Sequence, residues 1–393
     1  MQLDESPAIS ALRMELRAYF ADVMDPETTT ALDEPASAAA AIRAVVRRMG
    51  KDGWLGIGWP REFGGQGRGA LEQLVFYEEV QRAGAPYPLV TLNTVGPTLM
   101  AHGSLEQQAQ YLPGILAGEI HFAIGYTEPS AGTDLASLRT RAVRTEEHYL
   151  VSGNKVFTSG GDLADFIWLA CRTDPGASPH RGISILIVDT TSPGFSWTPI
   201  NTVGSQMTTA TYYDEVEVPA ANLVGQENHG WQLITAQLNH ERVTLGAGSA
   251  AAHAMYDATA RWAAATPGDG GRTVLEQPWV QSELATVYAR LSALRLLNHR
   301  MAAAMESGGQ PGPAESSTVK VLTSESAIAI YQTLLGVLGS TGHLVGASEG
   351  ALIGGRLERL ARHAQINTFG GGVNEIQREL IAVSALGMPR GSR

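Results

Sequence analysis

Two short stretches carry residue types that could do chemistry together. Residues 126–134 read Tyr126-Thr127-Glu128-Pro129-Ser130-Ala131-Gly132-Thr133-Asp134 and follow directly on the apolar run His121-Phe122-Ala123-Ile124-Gly125. Pro129 fixes one backbone angle and Gly132 opens conformations closed to other residues. Such a turn can aim several N–H groups and the hydroxyls of Thr127 and Thr133 at one planar ligand. An ordinary surface turn draws on the same residues, so turn chemistry alone leaves both readings open. The second stretch is Asn239-His240-Glu241-Arg242. Ile234, Leu238 and Leu245 form one helical stripe, and Glu241 falls on it at helical spacing. A carboxylate on an apolar stripe is costly unless it is paired or used. It either meets an arginine or serves as a general base.

Rival chemistries fit less well. His240-Glu241 opens a zinc-type HExxH pattern, but position 244 is threonine and the second histidine ligand is missing. Gly346-Ala347-Ser348-Glu349-Gly350 matches the GxSxG of a nucleophile elbow, yet it lies between helical segments with no preceding strand. There is no GxGxxG fingerprint and no P-loop. Cys171, the only cysteine, sits in an apolar strand and reads as core.

The hydrophobic period changes twice along the chain, which predicts three regions. Residues 1–120 read as helical: Leu12, Leu16, Tyr19 and Val23 recur at three and four before Pro26, Ile42, Val45, Val46 and Met49 make a second stripe, and Leu71, Leu74, Tyr77 and Val80 a third. Ser104 and Gln107 form a capping box for a helix expected to stop before Pro113. Residues 121–225 change to period two. Tyr149 and Val151, then Val156 and Thr158, flank the turn pair Gly153-Asn154 and predict a hairpin. Phe166, Trp168 and Ala170 alternate, as do Ile183, Ile185 and Ile187, and Val216 and Val218 form a last strand ending at Pro219. A small antiparallel barrel or sandwich is expected. Residues 226–393 return to helices, near 229–250, 278–306 and 315–338, separated by the loops 266–272 and 307–315. The fold class is therefore α+β.

Composition narrows the partners. The 393 residues are 44% hydrophobic and 17% charged, a globular profile, and the net charge of −11 argues against a nucleic-acid partner. One cysteine allows no disulfide within the chain and fits a reducing cytoplasm. The N-terminal residues show no secretory pattern. The apolar runs are too short for a membrane span.

The turn at 126–134 is similar to the EPxxGSD signature of the acyl-CoA dehydrogenase family, with Thr133 in place of serine. Three more blocks resemble that family in the same order. They are Trp59-Pro60-Arg61-Glu62-Phe63-Gly64-Gly65, then Lys155-Val156-Phe157-Thr158-Ser159-Gly160 where the family usually has Trp-Ile-Thr, and Gly371-Gly372-Val373-Asn374-Glu375-Ile376-Gln377-Arg378 near the end. Together they cover almost the whole chain.

The resemblance implies an N-terminal helical domain, a middle β domain and a C-terminal four-helix bundle. It also implies FAD as cofactor, an acyl-CoA substrate and an electron-transfer flavoprotein as electron acceptor. Tyr126, Thr127 and Thr133 would contact the flavin ring or its substrate, Phe157, Thr158 and Ser159 would line the ring's other face, and Val373 and Glu375 would complete the cofactor site. Fixed donors there would stabilise the charge that builds on the ring as hydride arrives. One branch of the family carries its base just before the Gly-Thr of the last block, and another carries it in a Leu-x-x-Glu-Arg context. Here Gly371 occupies the first location and Leu238-Asn239-His240-Glu241-Arg242 matches the second, which implies Glu241 as base and the Gly371 N–H as a donor to the thioester oxygen. Desolvation by flavin and acyl chain would make that carboxylate a stronger base. Asn239 and Arg242 fall where relatives contact CoA.

Two family features depart. The Arg-x-x-Phe-Gly stretch is replaced around Arg272 by GDGGRTVLEQP, and glycine stands at 336 where glutamine opens the Gln-x-x-Gly-Gly-x-Gly stretch. Both belong to the half of the FAD site that homotetrameric members donate to a neighbour. The chain also resembles the catalytic subunits of actinobacterial acyl-CoA dehydrogenases of steroid side-chain degradation, which pair with a paralogue lacking the base. An α2β2 hetero-oligomer is therefore expected, with a homo-oligomer as the other arrangement. A flavin monooxygenase or oxidase on the same fold, and a non-catalytic subunit completing a relative's FAD site, are the alternative functions.

Overall fold

A computed structural model of the chain describes residues 5–204, 206–240, 249–309, 311–346 and 348–389. Helices α1 (Pro7–Val23), α2 (Pro26–Asp33), α3 (Ala38–Lys51), α4 (Ala70–Ala83), α5 (Gly96–His102) and α6 (Leu105–Leu116) come first. Ser6 caps α1, its hydroxyl accepting from the Ile9 N–H at 3.3 Å, with Pro7 in the first turn, where a missing N–H costs nothing. The helix buries Leu12, Leu16, Phe20 and Val23; Tyr19 sits at the edge and donates to Asp52 at 2.9 Å. The capping box of α6 is present, at 3.2 Å and 3.1 Å. That helix does not stop at Pro113: it runs through it to Leu116, giving up only one ladder hydrogen bond.

Strands β1 (Phe122–Gly125), β2 (Arg141–Arg144), β3 (His148–Ser159), β4 (Phe166–Arg172), β5 (Ile183–Asp189), β6 (Phe195–Ile200), β7 (Thr208–Pro219) and β8 (Leu223–Val224) follow. They form one eight-stranded sheet in the order β6-β7-β3-β2-β4-β5-β8, with β1 beside β4. The sheet is mixed rather than wholly antiparallel, because β1 pairs with β4 in parallel. The hairpin expected at Gly153-Asn154 is instead one continuous strand. β7 supplies a partner along its whole length, and the register shifts between Val151 and Gly153. Gly153 has φ +146, and a Cβ there would lie 2.8 Å from the Thr140 backbone, so this glycine serves a bulge and a close approach.

The alternation in β4 and β5 separates two cores rather than core from solvent. Trp168, Ala170, Ile183, Ile185 and Ile187 join the N-terminal helices, whereas Ile167, Leu169, Cys171, Leu186 and Val188 fill the inner side of the sheet. Each fully buried isoleucine contributes on the order of 2 kcal/mol. Cys171 is in the core as expected, and burial pushes its thiol up to about 12.

Beyond the sheet lie α7 (Gly230–His240), α8 (Ser249–Ala265), α9 (Pro278–Glu306), α10 (Pro313–Leu338), α11 (Arg356–His363) and α12 (Asn374–Leu386). Leu284, Val287, Leu291 and Leu294 of α9 meet Ile330, Leu334 and Leu338 of α10 in a third core. By length and apolar composition α10 could reach across a bilayer, but more than half of its apolar stretch is buried inside the protein. It is the central helix of the C-terminal layer. Arg13 ties α1 to α4 through Glu78 at 2.7 Å and Glu79 at 2.8 Å.

Candidate active site

The turn at 126–134 is held from beneath. Glu128 and Ala131 exchange backbone hydrogen bonds at 2.9 Å and 3.1 Å. The Glu128 carboxylate points inward and accepts from the backbone N–H groups of Arg139 at 2.7 Å and Thr140 at 2.8 Å, and from Lys155 Nζ at 2.8 Å. Lys155 on β3 is fully buried and also donates to the Tyr126 carbonyl at 3.0 Å. Burial pushes the Glu128 carboxyl up, but the Lys155 charge and the Thr140 donor pull harder, so it lies below its ordinary range. Burial pushes Lys155 down against the opposing pull of Glu128. Neither residue carries a role in the sequence reading. The signal was there in principle, since Lys155 is one of only three lysines and lies inside a family block.

The same turn meets β3 at the 155–160 block, where Val156 N–H donates to the Thr127 carbonyl at 2.8 Å. Between Lys155 and Thr158 the strand takes a second register shift, and within it Phe157 adopts φ +59. A left-handed backbone on a bulky residue is strained, and the ring it carries is 63% exposed. Such strain concentrates at functional sites. Next to it the Thr158 hydroxyl is buried without a hydrogen-bond partner, although the Thr158 carbonyl accepts from Thr209 Oγ1 at 2.8 Å. A buried hydroxyl with nothing to bond is expensive. Ser159 is exposed, 3.4 Å from the Thr208 hydroxyl. Thr133 is exposed on the turn, and a Cβ at Gly132 or Gly160 would meet nothing within 4 Å. A strained exposed ring on β3 and the open space at Gly132 and Gly160 leave this edge of the turn free for a flat ligand, whereas the Thr158 hydroxyl is closed off beneath it.

Helix α7 closes one side. Tyr126 Oη donates to Gln237 Oε1, so the helix and the turn are joined directly. Glu241 and Arg242 lie outside the described residues, as does the side chain of Asn239. The 371–378 block is a left-handed loop running into α12. Gly371 has φ +66 with open space where a side chain would sit, and Val373 is the N-cap residue. Asn374 is buried, accepting from Lys320 at 2.6 Å and donating to Glu325 at 3.0 Å, and Gln377 accepts from Ser317 at 2.8 Å. These hydrogen bonds run to α10 and leave Glu375 exposed. The Trp59–Gly65 block is structural, with Trp59 Nε1 donating to the buried Leu92 carbonyl at 3.0 Å.

Three family models match in order: the acyl-CoA dehydrogenase N-terminal domain over residues 6–119, the middle domain over 123–216 and the C-terminal domain over 228–386. The chain belongs to the acyl-CoA dehydrogenase family. It is 48% identical to acyl-CoA dehydrogenase FadE26 of Mycobacterium tuberculosis, over all of both chains. Two solved structures cover it completely and are completely covered by it. They are the Tcur3481-Tcur3483 steroid ACAD, 51% identical with a TM-score of 0.94, and the ChsE4-ChsE5 complex from Mycobacterium tuberculosis, 48% identical with a TM-score of 0.94. This acyl-CoA dehydrogenase thus has the family's three-domain architecture of helices, β domain and helices, and the EPxxGSD-like turn and the 155–160 block stand together in it.

Proposed function

We propose that this enzyme removes two hydrogens from an acyl-CoA thioester to give the trans-2-enoyl-CoA, with FAD as cofactor and Glu241 as base. The observation that supports the cofactor assignment is the exposed, left-handed Phe157 on the strand that hydrogen-bonds to the 126–134 turn. FAD, when bound, would take up the β-hydrogen as hydride. Tyr126, Thr127 and Thr133 would hold it from the turn, Phe157, Thr158 and Ser159 from β3, and Val373 and Glu375 from the start of α12. Glu241 removes the α-proton, and the Gly371 N–H, unshielded by any side chain, polarises the thioester oxygen. Asn239 and Arg242 bind CoA. Electrons then leave to an electron-transfer flavoprotein.

We further propose a hetero-oligomer with a paralogous subunit, α2β2, acting on a steroid side-chain CoA ester. Relatives described as a steroid ACAD and as a two-protein complex support this. So do two exposed positions, Arg272, which has no Phe-Gly after it, and Gly336, which stands where the family has glutamine. The test is to express the chain alone and with its genomic neighbour, then measure bound FAD and turnover on acyl-CoA panels that include steroid thioesters. Low FAD alone and full FAD with the partner are expected. Full FAD and turnover from the lone chain would refute the hetero-oligomer, and unchanged turnover in Glu241→Gln would refute the base.

A further inference from the structure

Helix α7 buries Leu233, Ile234 and Gln237 on one face. A glutamine 3% exposed on an apolar face costs free energy unless both ends of its amide are bonded. Here both are. Gln237 Oε1 accepts from Tyr126 Oη, and Gln237 Nε2 donates to Thr98 Oγ1 at 3.2 Å. Thr98, on α5, in turn donates to the Thr94 carbonyl at 2.7 Å. One side chain therefore joins three parts of the chain: the 126–134 turn, the helix after the sheet and the N-terminal helical layer. Tyr126 is itself anchored at its other end, where its carbonyl accepts from buried Lys155 at 3.0 Å. The relay thus runs from β3 through the half-buried Tyr126 and α7 to α5.

Gln237 is four residues before Glu241 in the sequence, at helical spacing. A fixed hydrogen bond at Gln237 sets the rotation and axial position of α7 just where the chain leads to that carboxylate. We infer that Gln237 is a positioning residue for the dehydrogenation, holding α7 in register with the flavin-binding turn through Tyr126. The inference rests on the proposed role of Glu241. A buried network with every member satisfied fixes one geometry, and losing one member releases the others. A base displaced by about 1 Å can lose on the order of a hundredfold in rate.

The test compares Gln237→Leu, Tyr126→Phe and the double variant in the flavin-loaded enzyme, reading the rate of flavin reduction by substrate in stopped flow beside the thermal midpoint. Gln237→Leu is expected to slow reduction by about 10- to 100-fold with KM changed less than roughly threefold. Tyr126→Phe slows it less, and the double variant is no slower than Gln237→Leu, because Gln237→Leu already removes the Tyr126 hydrogen bond together with the one to Thr98. A lowered midpoint with reduction within about twofold of wild type would assign Gln237 a packing role only and overturn the inference, as would losses that multiply in the double variant. Glu241→Gln run alongside separates the two readings. If it is inactive while Gln237→Leu reduces normally, the positioning role alone fails; if it is active, the base assignment fails whatever Gln237→Leu does.

Discussion

Removing the lysine under the 126–134 turn should unfold more than its own contact. In the Glu128–Lys155 pair the side chains are 5% and 0% exposed and the atoms lie 2.8 Å apart. An exposed pair of this kind would contribute about 0–1 kcal/mol. A buried one broken on one side leaves an uncompensated charge, and the cost rises to about 3–5 kcal/mol. In Lys155→Met the Glu128 carboxylate keeps its two backbone donors but loses its countercharge, and the Tyr126 carbonyl loses a donor. In Glu128→Gln the new amide N–H₂ must face either the Arg139 N–H or the Thr140 N–H and Lys155, so a donor meets a donor. Each single variant should therefore lose about 3–5 kcal/mol, whereas the double variant, with neither charge buried, should lose no more than either alone. The assay is denaturant unfolding followed by far-UV circular dichroism, compared as apparent midpoints because a chain of three domains need not unfold in one step, with bound flavin measured on the same samples. The pair also sets an acid dependence. Glu128 is held below its ordinary 4.5, so its contribution is present above that value and disappears as pH falls through the folded pKa. Glu128→Gln should lack this acid-labile component. Losses under about 1 kcal/mol in the single variants, or a double variant equal to their sum, would refute the reasoning.

Phe157→Gly should relieve the φ +59 strain and stabilise the flavin-free chain by about 1 kcal/mol, while flavin dissociates faster; equal flavin retention would contradict a cofactor role for the ring. Lys320, bonded to Asn374 at 2.6 Å and to the Thr368 carbonyl at 3.3 Å, is pushed down to about 8 by burial. Because the unfolded chain holds that proton up to its ordinary 10.5, the cost of burying the charge is full below about pH 8 and fades as pH rises toward 10.5. The stability difference between wild type and Lys320→Met should therefore shift in favour of wild type between about pH 7 and pH 9.5, and parallel curves would refute it. Cys171, neutral and buried, should resist thiol reagents until the protein unfolds; labelling of the native chain at the rate of a free thiol would contradict its place in the core.

Which parts of this molecule can be read from its sequence follows from how far each constraint reaches. The stripes of α1, α3 and α4 are local, and so is the Ser104–Gln107 capping box, so each could be read within a few residues. Gly153-Asn154 misleads because the same two residues serve a turn or a bulge, and the choice is made by β7, some sixty residues away in sequence. Pro113 misleads for a similar reason, since a helix packed on its neighbours can carry one missing donor that an isolated helix would not. The 126–134 turn is legible as a string, but the string conceals what makes it rigid. Glu128 reads as a solvent-facing turn carboxylate until β3 brings Lys155 beneath it, and Gln237 reads as an ordinary polar position until Tyr126 and Thr98 reach it from 111 and 139 residues away. Local sequence thus carries the residues that would touch the cofactor, while the residues that aim them are polar, buried and paired over long range. A polar residue on an apolar face of a helix or strand, Gln237 or Lys155 here, is the one local sign they leave, because its burial has to be compensated from elsewhere in the fold.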